Sequence, residues 1–165
     1  MKFNGERFIP GQTNQRLEND HLERYKFVFE YIQDLDKDYE ILDLACGEGY
    51  GSFLLSMINT NNVTGVDISQ ETIEYAKNKY QKNNLLFIKG DVRNFNNNKQ
   101  YDIIVSFETI EHVPFYEEVI KNYLKILKKN GKLFISSPNR IFTSPRVKKL
   151  NKLLQPRYFL LEAIK

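Results

Sequence analysis

The chain has 165 residues, 41% of them hydrophobic, with 24 Lys and Arg against 21 Asp and Glu. That length suits one domain with a sizeable buried core, and the even spread of charge argues against a nucleic-acid binder. No apolar run approaches the length of a membrane span and no signal-peptide core opens the chain, so a cytoplasmic protein without a membrane span is expected.

Residues 1–19 are polar and aperiodic, with a turn at Pro10-Gly11, and are expected to form an arm ahead of a single domain over 20–165. Asp20, with Glu23 three residues on, predicts a helix start, and Leu22, Tyr25, Val28, Phe29, Ile32 and Leu35 recur at helical spacing. An apolar strand through Asp43 then runs into a glycine-rich turn. Phe53, Leu54, Met57 and Ile58 predict the next helix, and Val63 to Asp67 a second strand. Ser69 is placed to cap a helix that buries Ile73, Ala76 and Tyr80. Leu85 to Ile88 and Tyr101 to Phe107 read as strands, Tyr116 to Lys128 as a helix stopped at Asn130-Gly131, and Lys132 to Ser137 as a fifth strand. Alternating elements predict a Rossmann-like, doubly wound, mainly parallel sheet with helices on both faces.

In such sheets ligands bind beyond the carboxyl ends of the strands, where Asp43, Asp67, Asp91 and Glu108 all fall. Gly47 and Gly49 let a ligand approach the backbone, and Asp67, 18 residues after Gly49, is placed to accept both hydroxyls of a ribose. A nicotinamide dinucleotide would suit the same pattern, although the third glycine of its fingerprint falls on Ser52. The only cysteine, Cys46, lies in this turn and reads as a small packing residue, with no second thiol for a disulfide.

Asp43-Leu44-Ala45-Cys46-Gly47-Glu48-Gly49, with Ala45 at the first glycine position, resembles the opening motif of class I S-adenosylmethionine-dependent methyltransferases. The likeness continues through Gly65 to Ser69, Gly90-Asp91-Val92 and Tyr101 to Phe107. It implies S-adenosylmethionine as cofactor, with Ala45 and Gly47 cradling its methionine part, Asp67 on the ribose, Ile68 on the adenine, and Asp91 with the Val92 amide at the adenine edge; Asp43 would organise the turn, and Phe107 belongs to the same site. Gly5 to Pro10 with Asp20 to Tyr25 is similar to the opening of methyltransferases of glycan and secondary-metabolite pathways, which would put Arg24 or Tyr25 on the cofactor carboxylate. The expected function is therefore methyl transfer to oxygen or nitrogen of a small molecule, a sugar or glycan precursor being the expected acceptor.

Glu108, Glu111 and His112 stand at i, i+3 and i+4 after the fourth strand. They resemble a divalent-metal site of small-RNA and ubiquinone-pathway O-methyltransferases, which would admit Mg²⁺ or Mn²⁺ and an RNA 2′-O-methyltransferase fragment as the alternative function. His112 is equally a candidate general base or a pocket residue. Only 27 residues follow Pro138, with Arg146, Lys148, Lys149, Lys152 and Arg157 among them. Some or all of the family's terminal strand pair is expected to be missing, which would leave the edge of the fifth strand for a homodimer, a partner subunit or a covering terminal helix. A non-catalytic cofactor-binding subunit is the third reading.

Overall fold

A computed structural model describes residues 15–33, 37–58, 61–137 and 159–162, with side chains from residue 21 in the first stretch and the backbone alone in the last. Five parallel strands, β1 (Glu40–Leu44), β2 (Asn62–Asp67), β3 (Leu85–Lys89), β4 (Tyr101–Phe107) and β5 (Leu127–Ser136), are joined by β6 (Phe159–Glu162) in the order β3-β2-β1-β4-β5-β6. β6 alone runs antiparallel, Leu133 facing Leu161 and Ile135 facing Phe159. The central strands β1, β2 and β4 are buried along nearly their whole length because both faces are covered. On one face α4 (Tyr116–Ile126) packs Val119, Tyr123 and Ile126 onto Leu42, Leu44, Ile104 and Leu133. On the other, α1 (Gln15–Gln33) and α2 (Tyr50–Leu55) bring Tyr25, Val28, Ile32 and Leu55 against Ile41, Ile103, Val105 and Phe134. The sheet is thus doubly wound and mainly parallel, as its sequence pattern requires.

Four local expectations are corrected. α1 starts at Gln15, so Asp20 lies inside the helix and does not cap it, the preceding Gln, Arg, Leu and Glu being good helix formers. α2 ends at Leu55, which is fully buried while Met57 is 51% exposed. Its inner face is made by Gly51 and Ser52, because a Cβ on Gly51 would run into the Tyr25 ring. α4 ends at Ile126 and β5 begins at once; Asn130, not Gly131, takes the left-handed turn (φ 65°). Gly131 is needed for another reason, since a Cβ there would lie 2.8 Å from Leu127 Cγ and 2.9 Å from the Asp102 carbonyl. Finally, the edge of β5 is paired with β6, so neither a terminal helix nor a second chain is required to cover it. The Ser69 cap is as expected, its Oγ accepting from the Thr72 amide at 3.3 Å above α3 (Gln70–Lys79).

At the amino ends of the strands Asp102 accepts from Lys128 Nζ (2.7 Å), the Glu40 amide (3.0 Å) and Lys37 Nζ (3.1 Å). Burial opposes its ionisation, but these donors outweigh it and hold the carboxyl below the usual carboxylate range. That end of the sheet is closed by its own charges. The opposite, carboxyl end is open.

Candidate active site

The turn after β1 packs three positive φ angles into five residues: Ala45 at 63°, Gly47 at 54° and Gly49 at 85°. The last two are glycines for different reasons. A Cβ on Gly49 would sit 2.6 Å from the Phe87 ring and 2.8 Å from Ala76 Cβ, so Gly49 lets α3 and β3 close on the turn. A Cβ on Gly47 would meet nothing within 4 Å, because that side of the backbone faces an open cavity. Ala45 bears a left-handed conformation with a side chain, at a cost of about 1 kcal/mol.

Asp43 holds the turn from beneath. It is fully buried, takes the Ser52 hydroxyl at 2.6 Å, and shares the Tyr25 hydroxyl between its two oxygens at 3.0 and 3.2 Å. Burial pushes its carboxyl up to about 6 against the downward pull of Ser52 and Tyr25. Burial likewise raises the Tyr25 phenol and the Cys46 thiol, which keeps Cys46 protonated and in the packing role its position suggests.

Asp67, at the tip of β2, is 9% exposed and accepts the Gly47 amide at 3.1 Å on Oδ2 and the Ser69 amide at 2.9 Å on Oδ1. Each oxygen keeps a lone pair for a further donor. At the end of β3, Asp91 is gripped by the Arg93 guanidinium, whose Nε lies 2.9 Å from both oxygens while Nη2 bonds Oδ2. Those bonds keep the Asp91 carboxyl below its ordinary range despite partial burial.

These strand ends enclose one cavity of about 400 Å³. Of the residues singled out from the sequence, Tyr25, Ala45, Gly47, Asp67, Ile68, Asp91, Val92 and Phe107 line it, as do Glu108 and His112 from the segment after β4. Ile68 is 59% exposed, an apolar side chain held in the open at the rim. Asp43, Gly49 and Arg24 do not line it: Asp43 and Gly49 support the turn, and the Arg24 guanidinium lies 3.2 Å from Glu108 Oε1. His21, Cys46, Glu48, Tyr50, Arg93, Thr109, Val113 and Pro114 complete the wall unanticipated. His21 was findable, since it stands one helical turn before Tyr25 on the same face.

The metal site expected from Glu108, Glu111 and His112 is not assembled. Glu108, at φ 49°, precedes the helical turn, and its carboxylate is taken by the Ser136 hydroxyl (2.7 Å) and Arg24. Only Ile110–His112 are helical, as a 3₁₀ turn, whose three-residue period does not superpose positions four apart. Glu111 lies 3.8 Å from His112 Nε2, and its carboxyl is raised first by burial and then by Glu108. Among the described residues no three His, Cys, Asp or Glu side chains form a group that could hold a metal ion. Gly5 to Pro10, Leu35 and the basic residues from Arg146 to Arg157 lie outside the described residues.

Residues 35–158 match the methyltransferase domain family. The chain belongs to the class I S-adenosylmethionine-dependent methyltransferases. Within the family it is 38% identical over 122 residues to a ubiquinone biosynthesis O-methyltransferase of Coxiella burnetii, covering 72% of this chain and 51% of that one. To a probable S-adenosylmethionine-dependent methyltransferase of Mycolicibacterium smegmatis it is 27% identical over 151 residues, 88% of this chain and 54% of the relative. Among solved structures, the plantazolicin methyltransferase BpumL in complex with SAH superposes with a TM-score of 0.64 at 27% identity, over 75% of this chain and 49% of that one. A methyltransferase bound to the Trm112 activator of Haloferax volcanii reaches 0.65 at 20% identity over 74% and 55%, a likeness of fold. The methyltransferase chain described here spans about half the length of these curated relatives. Among the described residues no helix is long and apolar enough to cross a membrane.

Proposed function

We propose that this chain binds S-adenosylmethionine along the carboxyl edge of its sheet and transfers the methyl group to a hydroxyl oxygen of a small molecule. The observation that carries the reading is the meeting of Asp67, Asp91 and the open face of Gly47 on one cavity. A Cβ at Gly47 would project into that cavity, so the backbone there is bared for a ligand, and the turn fits the methionine part of the cofactor. Asp67, already fixed by two backbone amides, has lone pairs left for the ribose hydroxyls. Ile68 offers an apolar surface to the adenine, with Asp91 and the Val92 amide at its polar edge, and Phe107 closes the wall against Tyr25, their ring centroids 5.1 Å apart.

When bound, the cofactor supplies an electrophilic methyl on a sulfonium. The chain's own residues then have two tasks, alignment and removal of a proton. Alignment falls to the rigid turn, whose geometry Asp43 fixes from below. Proton removal falls to His112, which lines the cavity with a 64% exposed side chain and has Glu111 3.8 Å from Nε2. No metal-bound step is invoked, since Glu108 is committed to Arg24 and Ser136. Among the relatives reported above, those whose names state a pathway or product work in ubiquinone biosynthesis and on plantazolicin, not on glycans. We therefore take a hydroxyl other than a sugar's as acceptor, with catechol as its probe.

The test is transfer of labelled methyl from S-adenosylmethionine to catechol, with methyl glucoside alongside. Label should enter catechol, indifferent to EDTA, and fall at least roughly tenfold in Asp67→Ala, the worth of a charged hydrogen bond. Transfer abolished by EDTA would restore the metal reading, and label in the glucoside alone would restore the sugar.

A further inference from the structure

Phe115 breaks three ordinary rules of stability at once. It is an aromatic residue at φ 56°, where glycine or asparagine is normal. It occupies the N-cap position of α4, yet has no side-chain oxygen to receive the orphan amides there. And it is 77% exposed, the most exposed large apolar side chain among the described residues, followed directly by Tyr116 at 54%. A residue chosen for the fold would be Asp, Asn or Gly. Positions at which local preference is overridden in this way are where function is found. The segment immediately before Phe115, from His112 to Pro114, is cavity wall. We propose that Phe115 and Tyr116 form an aromatic lip on the mouth of this cavity and bind the flat, uncharged ring of the methyl acceptor.

The surroundings select that occupant. Glu117 and Glu118 follow in the first turn of α4, both exposed. Acidic flanks disfavour anionic lipid or an acceptor carrying its own carboxylate. Two adjacent rings among charges are also far short of the roughly 800 Å² per partner of a stable protein interface. A planar neutral ring needs only such an area, and edge or face contact with Phe and Tyr is its ordinary mode of binding. Continuity with the wall at Val113 and Pro114 places the ring on the side of the cavity where His112 stands, away from Asp67 and Asp91 at the ends of β2 and β3. The inference rests on the methyl-transfer reading for the ring's role as acceptor, though not for the binding of a ring.

The chain contains no tryptophan, so Phe115→Trp makes a single-site reporter in the full chain. Its emission should shift saturably on titration with catechol, with or without SAH, and stay fixed with methyl glucoside. Benzoate should bind at least roughly fivefold more weakly than catechol because of the acidic flank. Phe115→Gly should keep or raise Tm, since it relieves the backbone and loses little burial, while catechol affinity measured calorimetrically falls at least roughly tenfold and SAH affinity is unchanged. The proposal is overturned if catechol leaves the reporter unmoved, if Phe115→Gly binds catechol as the parent does, or if the reporter's spectrum moves with protein concentration alone, which would mark a protein interface. A parent that binds catechol at the lip but no SAH would sink the methyl-transfer reading and leave the lip standing.

Discussion

Beneath one side of the cavity Asp43, Ser52, Tyr25, Gly49 and Gly51 are buried and packed together, with hydrogen bonds as short as 2.6 Å. On the other side His112, which ends a 3₁₀ turn, and Phe115 and Tyr116 beyond it stand in solvent, and two of the residues from Glu108 to Phe115 have positive φ angles without being glycine. The first half has a geometry that would survive without a ligand. The second half is arranged at the expense of stability. A transfer enzyme needs this division, because one part must hold a common donor in a single pose while the other must fit whichever acceptor the particular enzyme serves.

The largest effect is expected where the rigid half is overfilled. Gly49→Ala meets the Phe87 ring and Ala76 at 2.6 to 2.8 Å and carries the strain of φ 85° as well. It should lower the unfolding free energy by about 3 kcal/mol, read in a urea titration. A loss below 1 kcal/mol would mean that the turn yields, and would erase the contrast between the halves. Asp43→Ala is next, leaving the Tyr25 and Ser52 hydroxyls buried without their acceptor, for about 2 to 3 kcal/mol.

The same carboxylate predicts a pH dependence. Its folded value of about 6 lies above the ordinary carboxylate range, so the folded chain binds the proton more tightly than the unfolded chain does. The stability this contributes is complete below the unfolded pKa, about 4, and is lost as pH rises through about 6. Relative to Asp43→Asn, the parent should lose stability between those two values and run parallel above them. The opposite slope would place Asp43 in a well-solvated or positively charged setting.

Smaller effects separate Arg24 from the cofactor. Arg24→Ala should cost about 1 kcal/mol through its mostly covered pair with Glu108 and change SAH affinity less than roughly twofold. A tenfold loss of affinity with stability intact would return Arg24 to the cofactor carboxylate. The smallest change, Ala45→Gly, should stabilise by less than about 1 kcal/mol by relieving φ 63°, partly offset by the freer unfolded chain.

The rigid half was also the legible half. Asp43, Gly47, Gly49 and Asp67 are dictated by strand, turn and helix following in order, and such chemistry is local enough to be read from spacing. β4 is legible as well, because Tyr101, Ile103, Ile104, Val105 and Phe107 stand between the polar run Asn96 to Gln100 and Glu108. The post-β4 segment was misread because E-x-x-E-H assumes an α-helical face, whereas the backbone at Glu108 turns left-handed and Arg24, from the start of the chain, takes its carboxylate. Pairing over 84 positions leaves no mark in spacing. β6 escaped for a related reason: its partner strand ends 23 residues earlier, and four residues are too few to show a period.

The most direct measurement is calorimetric titration of the chain with SAH, repeated on Asp67→Ala. Binding of one equivalent by the parent, weakened at least roughly tenfold by the substitution, is the predicted result. Equal binding by both proteins, or no heat from the parent at millimolar SAH, would contradict the assignment of this cavity to the adenosyl cofactor.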